Sequence, residues 1–129
     1  MNNVYQSYNN VSVMTASPGE LTLMLYNGAI RFLKQSKAAM EKHESQPARE
    51  FLNKGQAIVL ELMATLNMDI AIAQELYQQY DFMNRHLLQA SIKREPSTVQ
   101  DVIELLEELR DAWNGVLKAT RGQAVGMGN

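Results

Sequence analysis

Between Gly55 and Gly115 the chain carries no glycine, and Pro96 is the one proline in that span. Glycine and proline interrupt regular structure more strongly than any other residues, so a stretch this long without them favours long helices. Apolar and polar residues nowhere alternate for long enough to make a strand. Four of the seven glycines, Gly115, Gly122, Gly126 and Gly128, gather at the C-terminal end instead. These features point to an all-α fold.

Helical periodicity resolves four segments. The first opens at Ser17-Pro18-Gly19-Glu20. There Ser17 can cap, Pro18 suits the first helical position, and Glu20 can reach back to the cap N–H. It runs to about Lys42. The second follows Ser45-Gln46-Pro47 and carries Leu52, Gly55, Val59, Leu62 and Leu66. The third starts near Asp69 and carries Ala73, Leu76, Tyr80, Met83, Leu87 and Ala90. A second capping box, Ser97-Thr98-Val99-Gln100, opens the fourth, whose stripe is Val99, Val102, Leu106, Leu109, Trp113 and Val116. Three-and-four spacing puts each set on one face of a helix.

Each helix has roughly 20–25 residues and is therefore about 30–38 Å long. The connections near residues 43–47, 67–69 and 93–97 are short, so successive helices double back on one another. The expectation is an antiparallel up-down-up-down four-helix bundle over residues 17–118. A loose N-terminal arm (1–16) precedes it and a disordered tail (119–129) follows. A chain of 129 residues has the size of one domain.

The chemistry that such bundles often house is missing. A di-iron site needs Glu-x-x-His pairs, but Met40 stands three before His43 and Met83 three before His86. With zero cysteines there is no disulfide, thiolate site or cysteine nucleophile. No glycine-rich phosphate loop or nucleophile elbow is present. His43 sits in a polar loop, and His86 follows Arg85 on the third helix. Asp101, Glu104, Glu108 and Asp111 form one outer face of the fourth helix, and Arg31, Lys34 and Lys37 line the far half of the first. Both read as solvated surfaces. The expectation is a protein that is not an enzyme and uses no cofactor or metal.

Twelve Lys and Arg against fourteen Asp and Glu give a net charge of −2, with no cationic surplus for nucleic acid. No run reaches the ~18 apolar residues of a membrane span, and the first dozen residues lack the pattern of a secretion signal. A cytoplasmic location is expected.

What the chain has in excess is apolar surface. Leu21, Leu23, Met24, Leu25 and Tyr26 are nearly contiguous, so they point in most directions around the first helix. A bundle helix buries a stripe, and the remainder needs another cover. The arm offers one, because Tyr5, Tyr8, Val11, Val13 and Met14 punctuate a stretch otherwise rich in Asn, Ser and Gln. Eight methionines suit a surface that re-packs around an imperfectly fixed apolar partner.

These residues carry a family resemblance. The run Thr15-Ala16-Ser17-Pro18-Gly19-Glu20-Leu21, followed by Met24-Leu25-Tyr26-Asn27-Gly28-Ala29, resembles the opening of FliS, the bacterial flagellin export chaperone family. The likeness continues through Lys54-Gly55-Gln56-Ala57-Ile58, Glu61-Leu62, Tyr80-Asp81-Phe82-Met83, Arg85 and Leu87-Leu88. It closes with Val102, Leu106, Leu109, Arg110 and Asp111-Ala112-Trp113. Departures are mild: the family tends to have Asp at Asn27, Tyr at Phe82, Arg at His86 and Asn at Ser91, and glycines within the segment 67–72.

The resemblance implies a cytoplasmic four-helix bundle that binds the disordered C-terminal segment of flagellin. It also implies prevention of premature polymerisation and delivery to the export gate protein FlhA of the flagellar type III system. FliW or other flagellar regulators and a second copy of the chain are further candidate partners. Candidate flagellin-groove residues are Leu21, Met24, Leu25 and Tyr26 of the first helix with Ile58, Leu62 and Leu66 of the second. Tyr5 and Tyr8 match the arm positions that cap the groove and serve the gate complex in the family. Two other classes compete. A phosphotransfer domain has only His86 to offer as an exposed mid-helix histidine, without a clear surround of small residues. A ferritin-like oxidase lacks its ligands.

Overall fold

The structure is a computed structural model that describes the backbone of residues 17–128 and the side chains of residues 17–120. The arm and its expected anchors Tyr5 and Tyr8 lie outside the described residues. Four helices follow in order: α1 (Pro18–Glu41), α2 (Ser45–Ala64), α3 (Ala71–Lys93) and α4 (Pro96–Gly128). α1 packs between α2 and α4, and α3 closes the ring against the same two neighbours. This is the antiparallel four-helix arrangement that the stripes and short connections imply.

Local chemistry sets the ends. Ser17 caps α1, its Oγ accepting from the Glu20 N–H at 3.2 Å. The carboxylate of Glu20 receives the Ser17 hydroxyl at 3.2 Å rather than reaching the Ser17 N–H. α1 ends with Glu44 N–H bonded to Ala39 O at 2.9 Å and His43 N–H to Met40 O at 3.0 Å. His43 between them is left-handed, with φ of 58°. That pair of bonds satisfies two orphan carbonyls, and His43 occupies the place usually given to glycine.

Two boundaries differ from expectation. α3 begins at Ala71, not Asp69, because Asn67 folds the turn by accepting the Asp69 N–H on its side chain at 3.1 Å. α4 begins at Pro96, so Ser97 lies inside the first turn and is no N-cap. Proline at the first position loses no bond, since that N–H has no helical partner in any case. The backbone of α4 is helical to Gly128. Extending an existing helix adds one bond per residue fixed, so a backbone can continue beyond its packed part.

The core is built from the stripes. Leu33, Leu52, Val59, Met83, Leu87, Val99, Val102, Ile103 and Leu106 are fully buried at its centre. Gly55 permits a close approach of α1 and α2: a Cβ there would lie 2.6 Å from Leu33 Cδ2 and 2.9 Å from its Cγ. Ser36, buried on α1, donates to Ala48 O on α2 at 2.7 Å. At the opposite end of α1, the Trp113 indole N–H donates to Gly19 O at 2.8 Å, and Leu117 packs over Gly19. Trp113 and Leu109 are partly buried and packed against the core, as their places on the α4 stripe imply.

Candidate partner-binding site

The seven expected groove residues divide. Tyr26, Ile58 and Leu62 stand in the core at 3%, 6% and 1% exposure, so they form no outer surface in this conformation. Tyr26 faces inward because its hydroxyl bonds that of Tyr80 on α3. Leu21, Met24, Leu25 and Leu66 are half-buried. The surplus expected on α1 is therefore largely covered.

Exposed apolar surface concentrates on α3 and the adjoining edge of α2. Tyr77, Leu88 and Ile92 are 42%, 55% and 74% exposed, and Leu60 is 56% exposed. At 100° per residue, Tyr77, Asn84, Leu88 and Ile92 fall within about 80° of one another. Asn84 identifies the neighbour of that flank: its Nδ2 reaches Met63 Sδ at 3.5 Å, and its backbone carbonyl accepts from Gln56 Nε2 at 3.3 Å. On α2, Gln56, Leu60 and Met63 likewise share a flank within about 60°. The exposed side chains thus border one seam between α2 and α3. It ends near Leu66, the half-buried groove candidate expected on the second helix, which lies just beyond the α2 C-cap Thr65.

The other flank of α3 faces α4. His86 stacks on Phe82 with ring centroids 5.1 Å apart and approaches Asp101 at 3.4 Å. An open depression of about 450 Å³ nearby is lined by Glu75, Gln78, Gln79, Phe82 and Leu105. His86 is a surface contact between helices here, with no second histidine beside it. The acidic residues Asp101, Glu104, Glu108 and Asp111 are all exposed. Lys34 bridges α1 and α4 by pairing with Glu107 at 3.1 Å. Among the described residues, no three His, Asp or Glu side chains are grouped to hold a metal ion, and no helix is long and apolar enough to cross a membrane.

The core holds one titratable pair. Burial pushes the Tyr26 phenol above its ordinary range, although the bond from Tyr80 works the other way. Burial also raises Tyr80, and there the bond and charge of Tyr26 add to the effect. Both stay neutral and act as a hydrogen-bonded spacer.

The sequence reading missed Tyr77, Phe82, Leu88 and Ile92. A signal was available: once the stripe from Ala73 to Ala90 is assigned to the core, these and Ile72 are the large apolar residues of α3 left over.

Comparison with known proteins gives a consistent family. The family model described as flagellar protein FliS matches residues 1–120. The flagellar secretion chaperone FliS of Bacillus subtilis (strain 168) is 39% identical over 126 residues, covering 98% of this chain and 95% of that protein. Its namesake in Vibrio cholerae serotype O1 is 38% identical over 117 residues, covering 86% of each. A crystal structure of a flagellar chaperone from bacteria superposes with a TM-score of 0.74 at 24% identity, over 91% of this chain and 97% of that one, a likeness of fold.

Proposed function

The chain belongs to the flagellar protein FliS family, and from that premise we propose that it binds the disordered C-terminal segment of flagellin in the cytoplasm. By holding that segment it prevents premature polymerisation and hands the subunit to the export gate protein FlhA. The family is a chaperone family and not an enzyme class. The observation that carries the reading is the set of exposed apolar side chains on one side of α3 and the edge of α2, Leu60, Tyr77, Leu88 and Ile92. A flagellin tail with apolar residues at helical spacing would lay them into the α2–α3 seam. Leu66 and the half-buried Leu21, Met24 and Leu25 would extend the contact at one end.

The test is calorimetry with a flagellin C-terminal peptide of about 40–50 residues, sized to wrap helices ~30 Å long. Coupled folding should give 1:1 binding with a negative heat-capacity change. Replacing Leu88 and Ile92 together by Glu should weaken binding at least about tenfold, or about 1.4 kcal/mol, with the unfolding midpoint kept. Full affinity in that variant would remove the seam from the site, and absence of any binding by the wild-type chain would remove flagellin as partner. The arm enters the same experiment: deleting residues 2–14 should leave or strengthen tail binding and weaken delivery to FlhA if Tyr5 and Tyr8 cap the seam. Paired loss of stability and affinity would retire that role.

A further inference from the structure

Helix α3 differs from its neighbours in what holds its inner face. Two of its five buried residues are alanines, Ala73 and Ala90, one toward each end. The larger three, Tyr80, Met83 and Leu87, are confined to about two turns in the middle. Its interfaces with α2 and α4 are thinner than those of α1 with the same two helices. The N-terminal end has no side-chain cap from Ile70, while at the C-terminal end Arg94, left-handed at φ 55°, closes the helix on Ala90 O and holds it to α2 through one exposed bond to Ser45 Oγ at 3.0 Å.

The middle of this face is also polar. The Tyr80 hydroxyl meets that of Tyr26 on α1 within the core. Two hydroxyls bring two hydrogens and a single bond between them uses one, so one buried O–H has no acceptor among the described residues. One turn further on, the Asn84 Oδ1 is buried and likewise accepts no bond there. Groups of this kind oppose burial, because water would bond them. Tyr80 and Asn84 lie on the helix whose outer side is also rich in exposed apolar residues.

We propose that α3 is a gate: it lifts from α2 and α4 as a unit while α1, α2 and α4 stay packed. Lifting hydrates the spare hydroxyl hydrogen and the Asn84 oxygen, which offsets part of the newly exposed apolar surface. It also uncovers Tyr26 on α1, a residue that the closed bundle hides. The opened form would be a sub-global state of the free chain, distinct from global unfolding. The proposal concerns the chain alone and stands or falls independently of flagellin as the partner.

Amide hydrogen exchange on the free full-length chain tests it. Amides of residues 76–90 should exchange at least about tenfold faster than those of residues 29–40, and with a weaker dependence on low denaturant. A double variant, Tyr26→Phe with Tyr80→Phe, removes both hydroxyls while keeping the rings. It should slow exchange in α3 several-fold and leave α1 unchanged. One common rate for α1 and α3 in the wild-type chain would overturn the gate, since only global unfolding would then be exposing either helix. Equal slowing of both helices in the double variant would overturn the role of the tyrosine pair.

Discussion

Helices α1 and α3 are near equals in length, 24 and 23 residues, yet nine residues of α1 are buried against five of α3. Both carry apolar side chains on more than one face, so composition does not separate them. Their neighbours do. α1 lies between α2 and α4 in extensive contact, with Gly55 and Ser36 drawing α2 close. α3 touches the same two helices more thinly and leaves Tyr77, Phe82, Leu88 and Ile92 in solvent. An apolar surplus in a sequence measures how much surface needs cover; topology decides which helix goes without.

That contrast can be broken at several points. The largest effect belongs to the α1–α2 joint: Leu33→Ala should destabilise the chain by roughly 2–5 kcal/mol through lost burial and a residual cavity, read from urea unfolding. A loss under 1 kcal/mol would show that the joint is not well packed. Gly55→Ala should cost about 1–3 kcal/mol by overpacking, despite alanine's better helix propensity. The two changes together should cost less than their sum, because the new methyl enters the space that Leu33 vacates.

The polar core of α3 comes next. Tyr80→Phe alone strands the Tyr26 hydroxyl and should cost about 1–3 kcal/mol, whereas the paired change to phenylalanine should leave global stability nearly unchanged. Both phenols are raised on folding, so their contribution is complete below the ordinary phenol pKa of about 10 and falls away as pH climbs above it. Alkaline unfolding should therefore set in at lower pH for the wild-type chain than for the double phenylalanine variant. The smallest effect is on the outer side of α3. Leu88→Gln and Ile92→Gln should each change stability by no more than about 0.5 kcal/mol, and a larger loss would mean that these side chains support the fold.

Much of this architecture was legible beforehand. Three-and-four spacing located the buried stripes of α2, α3 and the packed part of α4, and Ser17-Pro18 marked the start of α1. The boundary at Ser97 was misread because Pro96 competes for the same turn, and proline's fixed φ takes the first helical position. The groove was less legible. Tyr26, Ile58 and Leu62 have the same composition whether they line a core or a surface, and their burial depends on partners far away in sequence. Tyr26 turns inward to meet Tyr80, fifty-four residues on. No local pattern announces such a pairing.

The bond from Trp113 to Gly19 has a practical consequence. Trp113 is the chain's single tryptophan, so its indole emission reports one location, the joint where the first turn of α1 rests on α4. A red shift of that emission means the joint has loosened and water has reached the ring. Movement of α3 involves a different set of aromatic side chains, the tyrosines at 26, 77 and 80. Tryptophan emission therefore follows the α1–α4 joint separately from the tyrosines, without any added label.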